Sequence, residues 1–140
     1  MTTAAHKAAW LKKHIKPGEI YAGLLLGENG APDQHLVLLA GENGAPDQHL
    51  VLLAGEAEAL DWKAAIAWAK KQGGELPTRR EQSLLFTNAK AHFKPTWYWS
   101  GEKHAAASGY AWCQYFGDGY QSLSHTDYQL RARAVRRIPL

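Results

Sequence analysis

Residues 27–40, Gly-Glu-Asn-Gly-Ala-Pro-Asp-Gln-His-Leu-Val-Leu-Leu-Ala, recur without a change as residues 41–54. No other feature constrains the fold of this 140-residue chain as strongly. Solenoid units run to roughly 20–50 residues and need three or more copies, so a two-copy, 14-residue repeat is not one. Identical copies point to a recent tandem duplication. Each copy has a turn half carrying Asn-Gly and Pro-Asp and a strand half, His-Leu-Val-Leu-Leu-Ala. The preceding Ile20-Tyr-Ala-Gly-Leu-Leu-Leu26 is also strand-like, so the parental unit reads as a hairpin: strand 20–26, turn 27–34, strand 35–41. Three arrangements satisfy the duplication. One adds a strand and another loops out one copy. In the third, the second copy completes the hairpin while residues 20–34 are pushed outward or exchanged with a neighbouring chain. An added antiparallel strand would reverse the chain's exit direction, so a displaced segment is favoured over a clean meander. Exchange makes a domain-swapped homo-oligomer an expected assembly.

The remaining elements follow from periodicity and caps. Ala4, Ala8, Leu11 and Ile15 form a helical stripe ended by Pro17-Gly18, which sets an N-terminal helix (1–17) apart from a single domain (18–140). A second helix spans 61–72, capped by Asp61, with Trp62, Ala65, Ile66 and Ala69 on one face and Gly73-Gly74 as its stop. Thr78 and Glu81 form a capping box for a third helix over 79–91 that buries Leu84 and Leu85. Trp97–Ser100 and Ala111–Phe116 read as strands, and the alternating 131–138 reads as one closing strand. Residues 101–110 and 117–130 read as long loops, which are often functional. The pattern predicts an α+β domain, with two central helices against a small, mostly antiparallel sheet.

Composition excludes several classes. There is one cysteine, Cys113, hence no internal disulfide framework and no cysteine-rich zinc site. It reads as a buried, inert thiol. No apolar run approaches the roughly 18 residues of a membrane span. Met1-Thr-Thr-Ala-Ala-His-Lys7 has no apolar signal core, so cytoplasmic synthesis is expected. No nucleophile-elbow, HExxH or phosphate-loop motif is present, and no enzyme activity or cofactor is expected. His92, His104 and His125 are far apart, and His35 and His49 are one residue copied, so no metal site is expected. Charge is uneven: residues 1–70 hold six Lys/Arg against eight Asp/Glu, and residues 71–140 hold ten against five. Arg131, Arg133, Arg136 and Arg137 cluster at the end and make a candidate strip for sulfated polysaccharide, with nucleic acid the less expected polyanion. The competing reading places Arg79, Arg133 and Arg136 in ion pairs inside the fold.

Taken in order, Trp62, Ala64-Ala65, Gly73-Gly74, Leu76-Pro-Thr-Arg79, Glu81, Trp97-Tyr-Trp-Ser100, Ala111-Trp112, Phe116, Gly119 and Arg133-Ala-Val-Arg136 form a series. It resembles the Legionella collagen-like protein C-terminal domain family, also called domain of unknown function 1566. The resemblance covers roughly residues 18–138 less one repeat copy. That family often carries a cysteine where Ala134 stands, and the N-terminal helix and the duplication lie outside its pattern. The resemblance implies a C-type-lectin-like fold, grouped with formylglycine-generating enzymes and retroelement-diversified phage receptor-binding proteins. It also implies a non-enzymatic binding module on phage or prophage tails, tail fibres or surface adhesins. The calcium loops of sugar-binding C-type lectins are missing from the expected region.

Trp97, Trp99, Trp112 and Phe116 read as core. Tyr110, Tyr120, His125, Tyr128 and Gln129 flank the closing strands and are the candidate ligand residues, suited to stacking on a cell-surface glycan or anchoring a protein contact. The alternative is a structural protein that assembles with other tail or fibre components.

Overall fold

The computed structural model describes residues 3–25 and 48–139. Helix α1 spans Thr3–His14, strand β1 Ile20–Leu25, β2 Gln48–Leu52 and β3 Ala57–Leu60. Helices α2 (Trp62–Lys71) and α3 (Arg79–Ala89) follow, the latter closing in a 3₁₀ turn, Lys90–His92. Strands β4 (Trp97–Lys103), β5 (Tyr110–Tyr115), β6 (Gln121–His125), β7 (Leu130–Ala132) and β8 (Val135–Pro139) complete an α+β fold. Both central helices start where the sequence caps them. Asp61 Oδ1 accepts from the Ala64 N–H at 2.8 Å. Thr78 Oγ1 accepts from the Glu81 N–H at 3.2 Å while Glu81 Oε1 accepts from the Thr78 N–H at 2.8 Å.

The strands form two sheets, ordered β1-β2-β8 and β3-β7-β4-β5-β6, antiparallel except for the β4–β7 pair. In the smaller sheet the second repeat copy supplies β2, with Leu24 opposite His49 and Leu52 opposite Val135. Leu50, Val51 and Leu52 are all fully buried. Three consecutive apolar residues suit a strand covered on both faces, and β2 also has a hydrogen-bonded neighbour on each edge. Strand β1 keeps its place beside it, so residues 20–25 are not pushed outward. Residues 26–47, with the whole first copy and the expected strand 35–41, lie outside the described residues. Gly23 anchors β1 through a bulge. Its φ of +120° is open to glycine, and a Cβ there would lie 2.9 Å from Asn88 Nδ2 of α3. Asn88 donates to the Ala22 carbonyl at 2.9 Å, tying β1 to that helix.

Four expectations need correction. The closing strand over 131–138 is two strands: β7 pairs with β3 and β4, and β8 pairs with β2. The chain changes sheets at Arg133-Ala134, where Arg133 donates to the carbonyls of His92 (2.5 Å) and Leu53 (2.8 Å). The loop expected over 117–130 contains β6, whose mostly polar residues pair with β5. The loop expected over 101–110 shrinks, because β4 runs on to Lys103 and β5 begins at Tyr110. The third helix ends at Ala89 rather than 91.

Two apolar clusters fill the interior. One packs Ala65 and Ala69 of α2 against Trp99, Ala111 and Cys113. The other packs Leu85 and Ala89 of α3 against Leu50, Leu52, Tyr98 and Phe116. Between them Arg137 reaches from β8 to Glu81, which is 1% exposed, with Nε to Oε2 at 2.5 Å and Nη2 to Oε1 at 2.8 Å. Removing one partner of a buried pair leaves an uncompensated charge. Arg137→Ala is therefore expected to cost about 3–5 kcal/mol in urea unfolding. Deleting either repeat copy gives the same shorter chain, which still carries one full set of β1 and β2 residues. It is expected to melt, by circular dichroism, no lower than the parent.

Candidate functional site

Strand β6 lies at one edge of the five-stranded sheet. Its residues alternate: Gln121 and His125 stand on the face with Gln114 and Tyr110, their partners on β5, and Ser122 and Ser124 stand on the other. On the Ser122/Ser124 side a groove of about 230 Å³ opens, lined also by Trp97, Tyr128 and Leu130. Cys113 lies beneath it, donating to the Ser122 carbonyl at 3.4 Å. Trp97 is held by neighbouring rings, with Tyr115 at 5.4 Å and Tyr120 edge-on at 6.2 Å. Tyr128 is 64% exposed. The groove thus has an aromatic ring from β4, another from the turn after β6, hydroxyls from β6, and no carboxylate or histidine among its lining side chains.

The expected ligand residues separate into two groups. Tyr110 and His125 meet edge to face at 5.4 Å, and His125 lies 6.2 Å from Tyr128. Tyr120 sits at the opposite end of β6, against Trp97. Gln129 is exposed beside Tyr128. Trp97, expected in the core, is partly buried and lines the groove. Ser122 and Ser124 went unmarked in the sequence. The polar run Gln121-Ser-Leu-Ser-His125 carries no apolar alternation that could have flagged them.

The arginine cluster has internal partners. Arg131 pairs with Glu56 at 2.7 Å, Arg136 with Glu19 at 2.7 Å, and Arg137 with both Glu81 and Glu75. The Arg136 guanidinium holds the Glu19 carboxyl below the usual carboxylate range. Arg133, expected to meet a carboxylate, meets backbone carbonyls instead, and burial pushes its pKa down. These four side chains tie elements together rather than face solvent as a basic strip.

On the opposite face of β6, an open basin of about 640 Å³ lies at the start of α3, lined by Thr78, Arg79, Arg80, Ser83, Glu102 and Gln121. Arg79, also expected in an ion pair, instead lays its guanidinium 3.5 Å from the Trp112 ring centroid. A third cavity separates α1 from β1, where the His49 ring lies 4.3 Å from Trp10 and its Nδ1 hydrogen-bonds the Tyr21 hydroxyl at 2.8 Å. Burial, reinforced by the nearby His14, pushes the His49 pKa down. Among the described residues no three His, Cys, Asp or Glu side chains gather to hold a metal ion, and no helix is long and apolar enough to cross a membrane. No protein-family model matches the chain, and no curated protein sequence matches it.

Burial pushes the Cys113 thiol pKa up to about 11. The thiolate is the reactive form. At pH 8 the native protein is expected to react with a disulfide reagent about a hundredfold more slowly than the guanidinium-unfolded chain, judged from thiolate fraction alone. A thiol that reacts equally fast in both states would contradict this placement.

Proposed function

We propose that the chain is a non-enzymatic recognition module that binds a cell-surface glycan in the groove between Trp97 and Tyr128. The observation that carries this reading is the groove's lining: two aromatic rings and the hydroxyls of Ser122 and Ser124, without a charged side chain. Sugar rings present apolar C–H faces and hydroxyl edges. Aromatic faces with a few placed polar groups suit that pattern, and a rigid sheet holds them in position. Acid–base chemistry would need a titratable group in reach of the ligand. The groove offers only Cys113 and Tyr128, and burial keeps the Cys113 thiol protonated.

The groove's volume suits one hexose, so single-site binding is weak and becomes useful through multivalency. A C-type-lectin-like arrangement is part of the proposal, supported by the order of sequence landmarks and by an α+β fold whose two central helices pack on the sheets. The tail-associated setting, on a phage or prophage fibre, is proposed from the sequence resemblance alone. The polyanion reading is less well supported, because its four arginines already have partners.

The test is an array of bacterial surface polysaccharides and simple glycans, probed with the protein clustered through a tag. Binding of a neutral glycan that survives both EDTA and high salt is expected. Tyr128→Ala should weaken it at least tenfold, equivalent to about 1.4 kcal/mol. A signal confined to heparin and lost at high salt would transfer the function to basic residues. No signal with any glycan would sink the reading.

A further inference from the structure

The basin on the other face of β6 contains an arginine whose surroundings differ from those of its counterparts. Arg131, Arg136 and Arg137 each end on a carboxylate. Arg79 does not. Its guanidinium carbon lies over the Trp112 ring, 3.5 Å from the centroid, and its Nε donates to Gln121 Oε1 at 3.0 Å. Gln121 is fixed in turn, with its Nε2 donating to the Arg79 carbonyl at 2.8 Å and to Gln114 Oε1 at 2.9 Å. Gln114 is fully buried and donates to the Gln82 carbonyl, and Gln82 donates to the carbonyls of Tyr98 and Trp99. A chain of amides therefore runs from the core to one guanidinium and sets its orientation. Its two Nη groups have no protein acceptor among the described residues.

The one carboxylate lining this basin has one oxygen engaged. Glu102 Oε2 accepts from the backbone N–H of Arg79 at 2.6 Å. With Thr78 and Glu81, it satisfies the first turn of α3, so the helix end itself has little left to offer a ligand. What lines the basin is the pre-oriented Arg79 guanidinium, a second arginine, Arg80, an acidic acceptor at Glu102, and the polar groups of Ser83 and Gln121.

We propose that this basin binds a sugar acid, its carboxylate on the Nη pair of Arg79 and its hydroxyls on Glu102, Ser83 and Gln121. The proposal takes its ligand class from the glycan reading but locates a separate site. A planar fork held over an indole matches a carboxylate in two parallel hydrogen bonds. Glu102 can accept from a hydroxyl, so a ligand that carries both a carboxylate and hydroxyls meets more partners here than a bare anion does.

The test is heteronuclear NMR on the intact protein with three probes: glucuronate, glucose and acetate. Glucuronate is expected to shift the Arg79 Nε–H and Trp112 indole N–H resonances saturably. Glucose and acetate should act at least tenfold more weakly. Arg79→Gln should lower glucuronate affinity at least tenfold. Arg79→Lys, which keeps the charge but loses the planar fork, should lower it as well, with melting temperatures showing that both variants remain folded. Three results would each overturn the proposal: no shift with glucuronate, acetate binding as tightly as glucuronate, or unimpaired binding by Arg79→Gln. Neutral-glycan binding lost in Tyr128→Ala but kept in Arg79→Gln would uphold the groove whatever becomes of the basin.

Discussion

Glu81 is the constraint from which the α3 side of the molecule is built. One buried carboxylate does two jobs: it closes the capping box with Thr78 and receives Arg137 from β8. A carboxylate that deep would cost several kcal/mol without partners. Here a backbone N–H and two guanidinium N–H groups surround it. The pair fixes the first turn of α3 against the smaller sheet. Glu102, reaching from β4 to the Arg79 N–H, fixes the same turn against the larger one. The two sheets thus keep a set relationship where the chain passes between them, and Arg79 inherits its position from both.

Close approach of backbone completes that junction. Glu75 and Val135 exchange hydrogen bonds, N–H to O at 2.9 and 2.8 Å. They can do so because Gly74 lacks a side chain, a Cβ there falling 2.3 Å from the Val135 carbonyl oxygen. Gly73-Gly74 reads in the sequence as a helix stop, which is half of its role. The other half, admitting β8 beside the chain, depends on a contact more than sixty residues away and leaves no local trace.

Where local chemistry decides a feature, the sequence is enough. Asp61, Thr78 and Glu81 mark the helix starts, and Ala65 and Ala69 mark a buried face. The failures share one cause, which is that tertiary contacts decide them. The alternation of residues 131–138 is real, yet the chain moves from one sheet to the other halfway along because Arg133 turns inward. The polar β6 resembles a loop because its edge position leaves much of it in water. Trp97 resembles core because tryptophan usually is. The candidate ligand residues were half legible: Tyr110, His125 and Tyr128 do gather, whereas Tyr120 belongs with Trp97 at the far end. Arg79 stood out as a landmark, but an arginine lying on tryptophan rather than on a carboxylate is visible only in three dimensions.

Strand β6 is five residues long and borders a different hollow on each face. Ser122, Leu123 and Ser124 line one hollow and Gln121 lines the other, so substitutions at 122–124 alter one and substitutions at 121 alter the other. The shared backbone ladder to β5 is indifferent to most side chains. The two surfaces can therefore drift separately, one being rewritten while the other is inherited intact. A short stretch of coding sequence thus shapes two separately adjustable surfaces, one from codon 121 and one from the three that follow it.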